Sequence, residues 1–179
     1  MDRRFLFGLL RDWGLALALA VGAFVVWRVF FAGSGAPITD GVAPDFALPT
    51  LEENQEITLS ELQGGPVVLN FWATWCGPCK KEIPELVAFT EANPDVPLIG
   101  ISVDNGMPIA RLKKWAARLK ISYPIAHDST GGVSDSWGVS TLPTTFVVTA
   151  DGHLGPHRVG TVNRSGLERM VEQARNHSH

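Results

Sequence analysis

Two cysteines occur in the chain, Cys76 and Cys79, both within FWATWCGPCKKEIP at residues 71–84. Three kinds of chemistry use such a pair. A structural disulfide stabilises mainly by closing a long loop of the unfolded chain, and a two-residue spacer closes a very short one. A zinc site needs about four ligands, and the usual complement of one CxxC is a second CxxC or a histidine pair. No further cysteine exists, and His127, His153 and His157 stand at spacings that form no recognised site, while His177 and His179 sit in a polar tail. No metal and no cofactor is therefore expected. The third chemistry, reversible thiol–disulfide exchange, accounts for more of the surroundings.

Exchange needs a thiolate, because the anion is the species that attacks a disulfide sulfur. The near-continuous apolar run VVLNFW (67–72) reads as a central strand buried on both faces. A short turn follows, and a helix from about Cys76 to Ala92 puts Cys79, Ile83, Leu86 and Val87 on one stripe. Cys76 then lies at the positive end of a helix dipole beside unpaired backbone N–H groups, which favours its thiolate. Cys79, one turn further on, is more shielded and placed to attack a mixed disulfide and release the product. Pro78 suits the first helical turn, where its missing N–H costs nothing, and Lys80 and Lys81 add positive charge nearby.

The remaining pattern supplies a frame for that unit. FALPTLEENQEITLSEL (46–62) reads as a strand, a turn, a second strand and a helical turn opened by Thr58 with Glu61. VPLIGISV (96–103) is a second buried strand, and Leu112, Trp115, Ala116 and Leu119 share one face of a helix whose other side carries Arg111, Lys114 and Arg118. YPIA (123–126) reads as a short strand. TFVVT (145–149) and HRVG (157–160) read as a hairpin about Asp151-Gly152. Ser165 with Glu168 forms a capping-box pattern ahead of a last helix. Strands alternating with helices, then a hairpin and a helix, predict an α/β domain with a mixed central sheet.

The first forty residues differ in kind. Arg3, Arg4 and Arg11 precede an uncharged run from Trp13 to Trp27, followed by Arg28 and VFFAG. Residues 13–33 make about 31 Å of helix, the thickness of a bilayer core, with Trp13 and Trp27 at interfacial depth and Arg28 able to snorkel. The basic N-terminus places residues 1–12 in the cytoplasm and the domain outside. A cleaved signal peptide and twin-arginine export deliver the domain to the same side. Residues 34–40 form a Gly/Pro/Ser linker, and a domain spans 41–179. The expected setting is a bacterial inner membrane crossed once, with the domain facing the periplasm. The net charge of −3 argues against a nucleic-acid partner.

Trp75-Cys76-Gly77-Pro78-Cys79-Lys80 resembles the thioredoxin active site, Pro84 matches the proline that kinks the family's first long helix, and Thr141-Leu142-Pro143-Thr144 resembles the loop that carries its cis proline. APDFALPTLE…LSELQGGPVVLNFWATWC and CKKEIPEL are similar to membrane-anchored, periplasm-facing reductases of the TlpA/ResA type. That resemblance, over about Gly41–Arg175, implies a thioredoxin-like fold with an added N-terminal hairpin and a central αβ insert near 104–127. It also implies an enzyme, a thiol:disulfide oxidoreductase, with Cys76 and Cys79 as the redox-active disulfide. Asn70 stands where cytosolic thioredoxins carry a buried acid. Glu82 matches a glutamate of the membrane-anchored relatives, is expected to exchange a proton with Cys79, and completes a catalytic set of Cys76, Cys79 and Glu82. Trp75, Leu142 and a cis Pro143 are the implied substrate-binding residues, the backbone of Leu142 pairing with an extended substrate.

The Gly-Pro spacer resembles thioredoxin, whose potential of about −270 mV is far more reducing than the roughly −120 mV of an oxidase such as DsbA. The implied direction is reduction of protein disulfides, with apocytochrome c and copper-site proteins as candidate substrates and a membrane-spanning thiol carrier as electron donor. Two other functions compete. APDFALP also opens peroxiredoxins, but the PxxxTxxC pattern of that family finds Leu69 and Ala73 ahead of Cys76. A copper-binding or docking module would want a Met- or His-rich site near the CxxC, and Met1, Met107 and Met170 are remote in sequence.

Overall fold

Six consecutive residues, Val67–Trp72, are buried on both faces and form β3, the middle strand of a five-stranded sheet. In the computed structural model, residues 21–22, 41–62 and 64–176 are described. The chain divides into two units, Met1–Gly35 and Ala36–His179, and every element below belongs to the second. Apart from residues 21–22, the N-terminus 1–12, the anchor expected at 13–33 and the linker 34–40 lie outside the described residues. Among the described residues no helix is long and apolar enough to cross a membrane.

Strands β1 (Ala47–Pro49) and β2 (Glu56–Thr58) pair antiparallel as a separate N-terminal hairpin, followed by a 3₁₀ turn at Leu59–Leu62. After β3 come helix α1 (Gly77–Ala92), β4 (Leu98–Ser102), α2 (Ile109–Arg118), β5 (Ile125–His127), the short α3 (Gly132–Ser136), β6 (Thr144–Val148), β7 (Leu154–Val159) and α4 (Arg164–Asn176). The sheet order is β5-β4-β3-β6-β7. β4 runs parallel to β3 and to β5, whereas β6 is antiparallel to both β3 and β7. The mixed sheet is the one expected from the strand–helix pattern, and the N-terminal hairpin and inserted α2–β5 unit are those implied by the resemblance.

Alternation along β3 divides the core. Leu69 and Phe71 face a cluster with Phe46 and Leu59, where Trp137 and Phe146 meet edge to face with ring centroids 5.1 Å apart. On the opposite face Val68 packs with Leu86, Phe89, Leu167 and Val171, and Trp72 packs with Cys79, Ile83, Leu112 and Ile125. Between Val68 and Trp72 on this second face stands Asn70, fully buried. A buried amide in an otherwise apolar strand needs partners, and those partners belong to the site.

Several local details differ from the sequence reading. β5 starts at Ile125 rather than Tyr123; Pro124 has no N–H to give a ladder, although its carbonyl accepts from Gly100 N at 2.9 Å. β7 begins at Leu154 rather than His157. The last helix is capped by Asn163, whose Oδ1 accepts from Gly166 N at 2.9 Å, while Glu168 pairs with Arg164 instead of closing a box with Ser165. At the 3₁₀ turn Asp45, not Thr58, accepts the amide of Ser60 at 3.0 Å.

Candidate active site

The turn from β3 into α1 carries both cysteines. Cys76 is the N-cap of α1, with extended backbone (φ −79°, ψ 108°), and its Sγ accepts the backbone N–H of Cys79 at 3.1 Å. A helix N-terminus leaves amides without intrahelical acceptors; here the sulfur is such an acceptor, and negative charge on it is favoured by the donor and the dipole together. Pro78 occupies the first turn. The two cysteines are joined as a disulfide with Cα atoms 5.3 Å apart, so the structure is the oxidised form. Cys79 is fully buried and Cys76 is 5% exposed, which leaves Cys76 as the sulfur nearer solvent.

The turn itself is held by a buried carboxylate from the end of β4. Asp104 accepts from the backbone N–H of Thr74 at 2.9 Å, from its hydroxyl at 2.7 Å and from Ser102 Oγ at 2.9 Å. The carbonyl of Asp104 accepts in turn from Nε2 of buried His127 at 3.0 Å. Thr74, Ser102, Asp104 and His127 are all buried, and these bonds hold the turn between the end of β3 and Cys76.

Around the disulfide, Trp75 projects outward at 70% exposure. Lys80 Nζ of α1 lies 4.9 Å and the Arg118 guanidinium of α2 5.6 Å from the centroid of the Trp115 ring, so Trp115 carries one cation from each helix. The Leu142–Pro143 peptide bond is cis, and half-buried Leu142 packs against the cluster that contains Cys76 and Cys79. Pro143 is buried and its carbonyl accepts from Gly160 N at 2.8 Å. The backbone N–H and C=O of Leu142 make no hydrogen bond among the described residues.

Glu82 is not a helix-surface glutamate. It is 2% exposed; Oε1 accepts from Asn70 Nδ2 at 2.8 Å and Oε2 from the backbone N–H of Val162 at 3.0 Å. Asn70 Nδ2 also donates to Thr145 Oγ1 at 3.0 Å. Burial pushes the Glu82 carboxyl up to about 6, against the opposing pull of the two donors. A group with that affinity exchanges its proton near neutral pH and lies one helical turn beyond Cys79.

The structure thus gathers Cys76, Cys79 and Leu142 into one cluster, with Trp75 at the rim and Glu82 behind Cys79. The Asn70–Glu82 pair and the Asp104 bracket were not legible in the sequence as contacts, though a lone Asn within VVLNFW was a visible anomaly.

Comparison with known proteins agrees with this geometry. The AhpC/TSA family model matches residues 40–155. The thiol-disulfide oxidoreductase ResA of Geobacillus thermodenitrificans is 33% identical over 161 residues, spanning 88% of this chain and 90% of the relative. Among solved structures, a thiol:disulfide interchange protein of the thioredoxin family from Chlorobium tepidum superposes with TM-score 0.65 at 26% identity, over 78% of this chain and 99% of that one. StoA from Bacillus subtilis gives 0.63 at 27% identity, over 73% and 98%. The fold is thioredoxin-like.

Proposed function

Since the chain belongs to the AhpC/TSA family and is a thiol-disulfide oxidoreductase, we propose that it reduces protein disulfides on the periplasmic side of a bacterial inner membrane. Residues 13–33 would anchor it there and 34–40 would tether the domain. The observation that carries the proposal is the capping role of Cys76, whose sulfur accepts the Cys79 amide at the mouth of α1.

In the reduced enzyme the Cys76 thiolate attacks a substrate disulfide, forming a mixed disulfide and expelling one substrate thiolate, which takes up a proton. Cys79 then loses its proton towards the Glu82 carboxylate and attacks the Cys76 sulfur. The second substrate thiol leaves, and the Cys76–Cys79 disulfide remains. Two electrons pass to the substrate, so a membrane-spanning thiol carrier must restore the dithiol. The unpaired backbone of Leu142 offers an edge to an extended segment of substrate, Pro143 sets that loop, and exposed Trp75 supplies apolar contact area. Apocytochrome c and copper-site proteins are the substrate classes supported by likeness to TlpA/ResA-type reductases. Peroxide is not the proposed substrate, because the position of the peroxidase threonine holds buried Ala73.

Direction is tested by equilibrating the protein against glutathione buffers and counting free thiols. A midpoint near −270 mV, as for the thioredoxin spacer it shares, is the expected result. A midpoint above about −180 mV would mean the protein oxidises its substrates instead.

A further inference from the structure

Helix α2 carries its cations against its own electrostatics. Arg111, Lys114 and Arg118 recur at i, i+3 and i+7, so they form one exposed stripe about 10 Å long. Like charges at these spacings repel. Arg111 also stands in the first turn, where the helix dipole disfavours a cation and no acidic residue offsets it. Among the described residues none of the three has a carboxylate partner. Lys113, on the other flank of α2, holds Glu52 at 3.0 Å, and Arg175 of α4 holds Asp95 at 2.9 Å. Glu82 and Asp104 stand near the disulfide, but both are buried and already accept other donors.

The stripe continues onto the active-site helix. Lys80 follows Cys79 directly, and its backbone N–H donates to the Cys76 carbonyl at 3.3 Å. Its Nζ and the Arg118 guanidinium share the half-buried Trp115 ring, both within the range of cation–π attraction. Leu112 and Ala116 of α2 pack in the same cluster as Cys76 and Cys79. Lys80, Arg111, Lys114 and Arg118 therefore form a cationic border to the disulfide, in a chain whose net charge is −3.

We propose that this border is the docking surface for an acidic segment of the protein that exchanges disulfides with Cys76. The attraction acts before the sulfurs meet: it raises the rate of encounter and disfavours partners with basic flanks. A protein segment rather than anionic lipid is the occupant that the fold favours. The chain enters the domain at Gly41, whose carbonyl accepts from Leu154 N beside the β6–β7 turn. That turn follows Val148, whereas the other end of β6 adjoins Pro143 and the cluster that holds the cysteines. The entry from the linker and the disulfide thus lie at opposite ends of β6. The inference rests on the reading that Cys76 exchanges with proteins, and not on the direction of exchange.

The test uses the full chain in nonionic detergent and two synthetic peptides with the same internal disulfide, one flanked by aspartates and one by lysines. Second-order exchange rates are measured for wild type and for a variant combining Arg111→Gln, Lys114→Gln and Arg118→Gln. Dividing each wild-type rate by the variant's rate cancels differences in peptide reactivity. Comparing the two quotients cancels any change in the Cys76 thiolate. The quotient for the acidic peptide should exceed that for the basic one by about tenfold at low salt. The two should converge at about 1 M salt, where the Debye length is about 3 Å. Equal quotients at low salt, or a difference that salt leaves in place, overturns the proposal. Should the variant not fold, wild type alone decides: its acidic-to-basic rate ratio must fall about tenfold with added salt, and a flat ratio is contradictory. The quotients are also compared in vesicles of phosphatidylcholine with and without phosphatidylglycerol. A difference kept in both supports the protein segment, and one lost in the anionic vesicles assigns the stripe to lipid and overturns the proposal. If the protein oxidises reduced peptides instead of reducing oxidised ones, the reductase reading falls, and the same quotients for oxidation still decide the docking surface.

Discussion

Replacing Cys76 with serine lowers kcat/KM for a protein disulfide by at least about 1,000-fold, whereas Cys79→Ala arrests the reaction half-way. The two outcomes differ because the sulfurs occupy different environments. Cys76 caps α1, accepts the Cys79 amide and retains the only measurable exposure of the pair. A serine there accepts the same hydrogen bond, yet its hydroxyl does not ionise near neutral pH and forms no bond to a substrate sulfur. Cys79 is fully buried, so it attacks only the sulfur of Cys76, once that sulfur carries a substrate. Without it the attack still occurs, and the substrate stays linked until an external thiol releases it. Intact-mass measurement of Cys79→Ala after mixing with an oxidised protein substrate should show one adduct per chain at Cys76. Repeated turnover by either variant at the wild-type rate would refute the division of roles.

The second large effect concerns pH. The Glu82 carboxyl titrates near 6 in the folded protein against an ordinary value of 4.5, so the folded state holds its proton more tightly than the unfolded chain does. The linked stabilisation is fully present below about pH 4.5, falls as pH rises through about 6, and is absent above that. The difference amounts to about 2 kcal/mol. In Glu82→Gln this slope disappears, because the amide does not titrate. Its single carbonyl serves one of the two donors, Asn70 or Val162, and leaves the other unpaired, which costs about 1–3 kcal/mol at every pH. Urea unfolding of both proteins between pH 4 and pH 7 isolates the effect, since other carboxyl contributions cancel in the difference. Wild type should lose about 2 kcal/mol relative to the variant across that window. Parallel curves would show that Glu82 carries no perturbed proton. The same substitution should slow reductase turnover at neutral pH by about 100-fold, the usual yield of a positioned general base.

How much of this was legible beforehand follows from how far apart the interacting residues lie. The strand Val67–Trp72, the helix from Cys76 and the chemistry of the pair are local: an apolar run, a turn and a helix start within sixteen residues or so. Pro143 was legible through its motif, and the strands and helices read from the later sequence lie within a few residues of those observed, but the short α3 at Gly132–Ser136 was missed. The support of the site is not local. Val162 reaches Glu82 from eighty residues away, and Asp104 reaches Thr74 from thirty. Neither contact leaves a periodic trace, because each depends on which strands lie beside β3. Asn70 shows the limit well. The amide was visible as the residue that replaces a buried acid, but only the packing of α1 over β3 shows that it holds the acid from its new position. Capping was misread at both ends of the domain: Asn163 was as eligible as Ser165, and Asp45 reaches Ser60 from fifteen residues away.

The most direct test is the rate at which iodoacetamide alkylates Cys76 in the reduced protein, followed by mass spectrometry from pH 4 to pH 10. A thiolate stabilised at the mouth of α1 predicts a midpoint below about 7, against about 8.5 for an unperturbed cysteine. A midpoint at that ordinary value, or a slow rate throughout, would contradict the account at its root.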